Sequence, residues 1–78
     1  MMTIPFSVDG SEKECLIQIR DLVDNRVVAD VFHGRCQPGV HSAEFDPKVV
    51  FDGLDAGYYA LYLIIGDEVE SYPLQYMP

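Results

Sequence analysis

The side chains with the clearest chemical potential are two histidines and two cysteines. His33, Cys36 and His41 follow one another with the spacing His-x2-Cys-x4-His, and Cys15 lies upstream. Imidazole nitrogen and thiolate sulfur are ligands that zinc prefers in proteins. Zinc sites usually come as paired knuckles, however, and Cys15 and His41 fall on strand faces predicted to point into a core. A small metal-binding domain using His33, Cys36 and His41 is therefore kept as an alternative to a structural use of these side chains.

The two cysteines have a second possible use as a disulfide. A bridge between Cys15 and Cys36 would need Cα atoms within about 7 Å of each other. Two free structural thiols are the simpler interpretation and the one that we favour. A single pair of cysteines does not identify the redox compartment.

Other catalytic and cofactor chemistry has little support. No serine stands in a nucleophile elbow, and no glycine-rich phosphate loop follows a predicted strand. Carboxylates near predicted strand ends could serve as calcium ligands, but without EF-hand spacing they are better interpreted as solvated turn residues; they are Asp46, Asp52, Asp55 and Asp67. We therefore expect a protein that is not an enzyme and that holds no cofactor.

Composition restricts the partners and the size of the fold. The chain has 78 residues, 49% of them hydrophobic, which fits one small domain over residues 1–78. Its net charge is −8, from 13 acidic and 5 scattered basic residues. Nucleic acid and anionic membranes are poor partners for such a surface, because both require concentrated positive charge.

Targeting signals are not recognisable in the sequence. Residues 1–7 lack the basic and apolar regions of a signal peptide. No apolar segment approaches the ~20 residues of a transmembrane helix, so no membrane insertion is expected. We expect a cytoplasmic protein if the chain is full length, and a secreted or cell-surface protein if it is a fragment of a longer precursor.

The hydrophobic pattern predicts short strands and no helix of three turns. The longest apolar run, 57–66, is predicted as a central strand with Tyr59, Leu61 and Leu63 facing the core. Pro5 and Pro73 predict edge strands. Residues 33–39 are predicted as a loop, and 49–51 as a brief strand or an apolar plug. The other predicted strands are 3–8, 14–20, 26–32, 40–46 and 68–77. This pattern is typical of an all-β, Ig-like or fibronectin-like antiparallel β-sandwich of six to seven strands.

Five segments carry a resemblance to a known family. They are Ile4-Pro5-Phe6-Ser7-Val8, Leu16-Ile17-Gln18-Ile19-Arg20-Asp21-Leu22, Asn25-Arg26-Val27-Val28, Gly39-Val40-His41-Ser42-Ala43-Glu44-Phe45-Asp46 and Leu54-Asp55-Ala56-Gly57-Tyr58-Tyr59-Ala60-Leu61. In this order the chain resembles the C-terminal sorting domain of the type IX secretion system and the similar Ig-like domain of the flagellar hook-capping protein. The resemblance implies an Ig-like fold, with Asn25 at the position of a turn glycine and Phe45 at the position of a tryptophan. It also implies a sorting or structural role.

One predicted surface is suited to binding. Tyr58, Tyr62 and Ile64 alternate with the predicted core residues of 57–66 and therefore share the opposite face of that strand. Loops or the last strand could cover them. Left uncovered, aromatic residues of this kind anchor protein interfaces.

Three functions remain open from the sequence. We favour a non-catalytic protein-interaction or structural module, with a protein partner or self-association through Tyr58, Tyr62 and Ile64. The first alternative is a stand-alone cytosolic protein of the same fold that binds an unidentified partner. The second is the small metal-binding domain.

Overall fold

The computed structural model describes residues 1–77, so Pro78, the last residue of the predicted domain, lies outside the described part. The strands are β1 (Met2–Val8), β2 (Lys13–Asp21), β3 (Val27–Cys36), β4 (Gly39–Phe45), β5 (Gly57–Ile65) and β6 (Glu68–Tyr76). A single helical turn, α1 (Pro47–Val50), connects β4 to the loop before β5. The predicted all-β antiparallel sandwich is confirmed, with six strands.

The six strands form two antiparallel sheets of unequal size. One sheet contains only β1 and β4, and the other has the order β3-β2-β5-β6. The central pair is β2 and β5, whose register runs without a break from Cys15↔Ile65 to Asp21↔Tyr59. Because a two-stranded sheet packs on a four-stranded one, it covers one face of the larger sheet and leaves part of β6 exposed on that face as well.

The core follows from strict alternation along the strands. Ile4, Phe6 and Val8 of β1 belong to one buried cluster with Ile17 and Ile19 of β2, which are almost completely inaccessible to solvent. The predicted core residues of β5 are confirmed, because all three belong to this buried cluster: Tyr59, Leu61 and Leu63. The interior holds no buried polar or charged residue among residues 1–77.

The predicted loop over residues 33–39 is wrong. β3 continues to Cys36 because β2 begins at Lys13 and supplies a pairing partner as far as Lys13↔Cys36. Two register shifts in β2–β3 pairing leave Val28 and Val31 without direct partners, as in β-bulges. The bulges interrupt the period-2 pattern from which strands are predicted.

The segment 49–51 is a helical turn followed by a buried aromatic ring. The side chain of Asp46 accepts a hydrogen bond from the Lys48 backbone N–H at 3.0 Å, and Pro47 begins the turn. The alternative of a brief strand is therefore wrong. The other alternative, an apolar plug, is confirmed for Phe51. Its side chain is buried and stacks on Tyr76 with ring centroids 4.6 Å apart. No helix within residues 1–77 is long and apolar enough to cross a membrane.

Candidate functional site

The face of the four-stranded sheet that points away from β1 and β4 is the candidate site. Leu16 pairs with Ile64, and Ile64 pairs with Val69, so three aliphatic side chains form a row across β2, β5 and β6. On β5, Tyr62 lies two residues before Ile64, and Tyr58 lies four residues before Tyr62. These five residues share one side of the sheet because side chains alternate along each strand; we call them the outer face.

The outer face is accessible over much of its area. Tyr58 is 61% exposed and Val69 is 59% exposed, while Leu16, Tyr62 and Ile64 are half-buried. The structure thus brings the predicted binding residues Tyr58, Tyr62 and Ile64 together on one face and adds Leu16 and Val69. A monomer of this size has no structural need for an exposed row of this kind.

A chain of polar contacts orders the middle of the outer face. The Gln18 side-chain N–H donates to the Asp30 carboxylate at 3.0 Å, and the Arg20 guanidinium donates to the Gln18 carbonyl at 3.0 Å. The same guanidinium lies 4.2 Å from the centroid of the Tyr62 ring. This cation–π contact fixes one side of the ring and leaves Tyr62 pre-positioned beside the aliphatic row.

Polar and charged side chains at the β2–β3 end of this sheet face are paired across the two strands. The His33 ring nitrogen lies 3.0 Å from the Glu14 carboxylate, and Arg35 donates to Glu12 at 3.4 Å. All four side chains are solvent-exposed, so these contacts contribute little to stability. They border the apolar patch with polar groups on the β3 side, and a polar rim is the usual boundary of a protein interface.

The candidate zinc ligands are not brought together. His33 lies on the exposed side of β3, Cys36 lies on its buried side, and His41 stacks on Phe6 with ring centroids 5.5 Å apart. His41 is half-buried, and its ring Nε2–H donates a hydrogen bond to the Gln37 carbonyl at 2.6 Å. Within the described chain, no group of three or more His, Cys, Asp or Glu side chains is placed to hold a metal ion.

The two thiols are neighbours inside the core. Cys15 pairs with Gly34 and Cys36 pairs with Lys13, so the cysteines are diagonal neighbours on the same side of β2 and β3. Both are buried and free. Burial raises the pKa of the Cys15 thiol, and the adjacent Cys36 raises that pKa further. The geometry fits structural thiols, because a raised pKa and burial suppress the reactive thiolate.

An open recess of about 290 Å³ adjoins Tyr58 at one end of the sheet. Its walls include three carboxylates, Asp21 and Asp24 from the end of β2 and the turn after it, and Asp55 from the loop before β5. Sequence reasoning missed this recess, since it exists only because the end of β2 meets the start of β5. At its base Tyr59 donates a hydrogen bond to the Asp55 carbonyl at 2.7 Å, and burial raises the pKa of the Tyr59 hydroxyl.

Comparisons with known proteins do not identify a family for this chain. No family model matches the chain, and neither a curated protein nor a solved structure is significantly similar to it. The resemblance to type IX sorting and hook-capping Ig-like domains therefore stays a prediction.

Proposed function

We propose that the chain is a non-catalytic protein-interaction module that binds its partner through the outer face. The observation that carries this proposal is the aliphatic row of Leu16, Ile64 and Val69, in which Val69 is exposed and the other two are half-buried, together with Tyr58 and Tyr62 on the same face. Exposed aromatic and aliphatic side chains within a polar rim supply the apolar area and the anchors that association needs.

The composition supports a different protein, rather than a second copy, as the partner. Each chain carries a net charge of −8, so two copies repel each other at moderate ionic strength. A partner with positive charge around an apolar centre would instead be attracted during encounter. Sedimentation of the purified chain is expected to give a monomer, and a stable dimer would favour self-association.

The test is capture from an extract of the native cell with three immobilised chains. These are the wild type, a double variant Tyr58→Thr/Ile64→Thr, and a control Val40→Ser. Val40 is 86% exposed on β4, in the other sheet, so its substitution removes a comparable apolar side chain away from the outer face. Threonine keeps the strand propensity of the replaced positions.

The proposal predicts that wild type and control retain the same partner, while the double variant retains at least about tenfold less. Tenfold corresponds to roughly 1.4 kcal/mol, a modest loss for two interface anchors. Equal retention by all three folded chains would place the interface elsewhere. Circular dichroism and thermal melting confirm that each variant is folded.

The resemblance to type IX sorting domains supplies a more specific version of this proposal. A sorting domain directs an attached protein out of the cell, so the chain would be recognised by secretion machinery. Fusion of the chain to the C-terminus of an exported reporter, in a bacterium with type IX secretion, tests this version. Reporter retained in the periplasm would contradict sorting and leave the general interaction module standing.

A further inference from the structure

The first half of β6 is the least covered strand segment of the described chain. Every residue from Glu68 to Pro73 is exposed, although all of them pair with β5. The unequal size of the sheets contributes, since two strands cover a four-stranded sheet only in part, and an open recess lies between the end of β1 and the side chains of Glu68 and Glu70. Within residues 1–77, β6 is also an edge strand and pairs with no strand other than β5.

We infer that the free edge of β6 over 68–72 binds an extended segment of a protein partner, and that this segment carries basic side chains at alternate positions. The inference rests on the proposed function in requiring a protein partner. It assigns a second surface to that partner, because strand addition uses the backbone edge of the sheet and not the outer face.

The direction of the backbone groups follows from two observations. The β5–β6 loop has two residues, with Gly66 at φ 61° in its first position, so Ile65 and Glu68 form the hydrogen-bonded pair that closes the hairpin. Hydrogen-bonded and non-hydrogen-bonded pairs alternate from there. The backbone groups of Val69 and Ser71 therefore point away from β5 towards the free edge.

A contact on the other side of β5 agrees with this direction. The Tyr58 carbonyl accepts a hydrogen bond from Leu22 N–H at 3.2 Å, so the backbone groups of Tyr58 face β2. Its partner Gln75 must then point its own groups outward, in phase with Val69 and Ser71. The backbone of Pro73 also faces the free edge. Proline is tolerated there because its missing N–H removes no hydrogen bond to β5.

The side chains beside this edge select for positive charge. Glu68 and Glu70 lie on the sheet side that faces β1, where they line a recess of about 120 Å³ together with Ser7 and Asp9. Lys13 supplies the recess with one positive charge, and its ammonium donates to the Asp9 carbonyl. Lysine or arginine side chains directly opposite Glu68 and Glu70 would form favourable cross-strand pairs.

The same charges disfavour a second copy at this edge. A two-fold antiparallel pairing centred on the five residues 68–72 places Glu70 opposite Glu70 of the other copy, which is destabilising. A pairing centred further along β6 has to cross Pro73, which offers no N–H. The other end of the four-stranded sheet is less suitable for any strand, because β3 is interrupted by two register shifts.

The probe is a synthetic peptide that alternates lysine with valine and threonine, studied with the full chain at about 1 mM peptide. The control peptide has the same composition with its lysines contiguous. Amide hydrogen exchange should show new protection of the Val69 and Ser71 N–H groups with the alternating peptide only. Binding should weaken with salt, and the double variant Glu68→Gln/Glu70→Gln should lose most of that salt dependence.

Two proline variants provide the matched test. Ser71→Pro removes an outward N–H inside the proposed binding segment, while Gln75→Pro removes one beyond Pro73. Neither substitution touches the β5–β6 ladder, so both variants should remain folded. We expect Ser71→Pro to weaken peptide binding about five- to tenfold, because it removes one hydrogen bond of roughly 1 kcal/mol. Gln75→Pro should leave peptide binding unchanged.

Several results would overturn the strand-addition inference. They are absence of peptide binding, equal binding of both peptides, or equal effects of the two proline variants. The outer-face variant Tyr58→Thr/Ile64→Thr should bind the peptide like wild type. A failed peptide experiment with a successful outer-face capture would thus reject the β6 edge alone, and the reverse pattern would reject the outer face alone.

Discussion

The guanidinium of Arg20 lies 4.2 Å from the centroid of the Tyr62 ring, on the face of the four-stranded sheet that points away from β1 and β4. Arg20 is itself held by the Gln18 carbonyl, so the ring is positioned by a contact that is made before any partner arrives. Pre-positioned aromatic side chains lose less conformational freedom on binding. This relationship connects the fold to the proposed function.

Replacing Arg20 with methionine should remove the cation–π contact and the hydrogen bonds to Gln18 while keeping most of the apolar stem. We expect the free energy of unfolding to fall by about 0.5–1 kcal/mol, the usual worth of such a contact at an accessible site. Urea denaturation measures this loss. The control is Arg35→Met, which breaks only the exposed contact to Glu12 and should change stability less. Equal losses in the two variants would mean that the Tyr62 contact adds nothing.

Phe51 should be among the most sensitive positions in the chain. Its ring packs edge-on against Tyr59 at 5.1 Å and stacks on Tyr76, which joins the helical turn to β5 and β6. Phe51→Ala should cost about 3–5 kcal/mol, a large part of the roughly 4–12 kcal/mol expected for a domain of this length. Val49→Ala, at an exposed position two residues away, should stay within about 0.5 kcal/mol. A loss below about 1 kcal/mol for Phe51→Ala would contradict its role as a plug.

The stability of the fold should fall at high pH because of Tyr59. Burial raises the pKa of its hydroxyl, and the charges of Asp21 and Asp55 raise it further. The folded chain therefore holds this proton more tightly than the unfolded chain. The resulting stability is fully present below the unfolded pKa of about 10 and is lost as pH rises through the folded value. Urea denaturation between pH 8 and 11 should show this decline, and it should be shallower in Tyr59→Phe. Parallel pH profiles for the two chains would exclude Tyr59 as the cause.

The thiols should be unreactive in the native protein. Cys15 is completely buried, and its raised pKa lowers the fraction of thiolate, the species that attacks thiol reagents. Both cysteines should react with an aromatic disulfide reagent only as fast as the fold opens, and at once in denaturant. Rapid modification of Cys15 in the folded chain, or a disulfide in the purified protein, would rule out the structural interpretation.

The parts of the fold that sequence predicts well are those with unbroken alternation. The core faces of β1 and β2 follow directly from buried apolar residues at every second position, as with Ile4, Phe6 and Val8. The predicted strand 26–32 is shorter than β3 because Gly34 and the polar residues His33 and Arg35 indicate a loop, and only pairing with β2 extends the strand to Cys36. The helical turn is too short for any periodicity, and its one sequence signal is Asp46 followed by Pro47.

The candidate site also has one part that sequence predicts and one part that it does not. The shared side of Tyr58, Tyr62 and Ile64 is a local property of one strand, and sequence alone predicts it. The addition of Leu16 and Val69 depends on the register of β2 and β6 against β5, which is set by non-local packing. The recess near Asp55 and the free edge of β6 likewise require the order of strands in the sheet.

Hydroxyl-radical footprinting of the isotopically labelled chain tests the outer-face interface most directly. Labelling is compared between the purified protein and the same protein in an extract of the native cell, with Val40 as the internal reference. An occupied outer face predicts that Tyr58, Tyr62 and Ile64 lose labelling in the extract while Val40 keeps it. Equal labelling of the outer face in both conditions would contradict the proposal that this surface binds a partner.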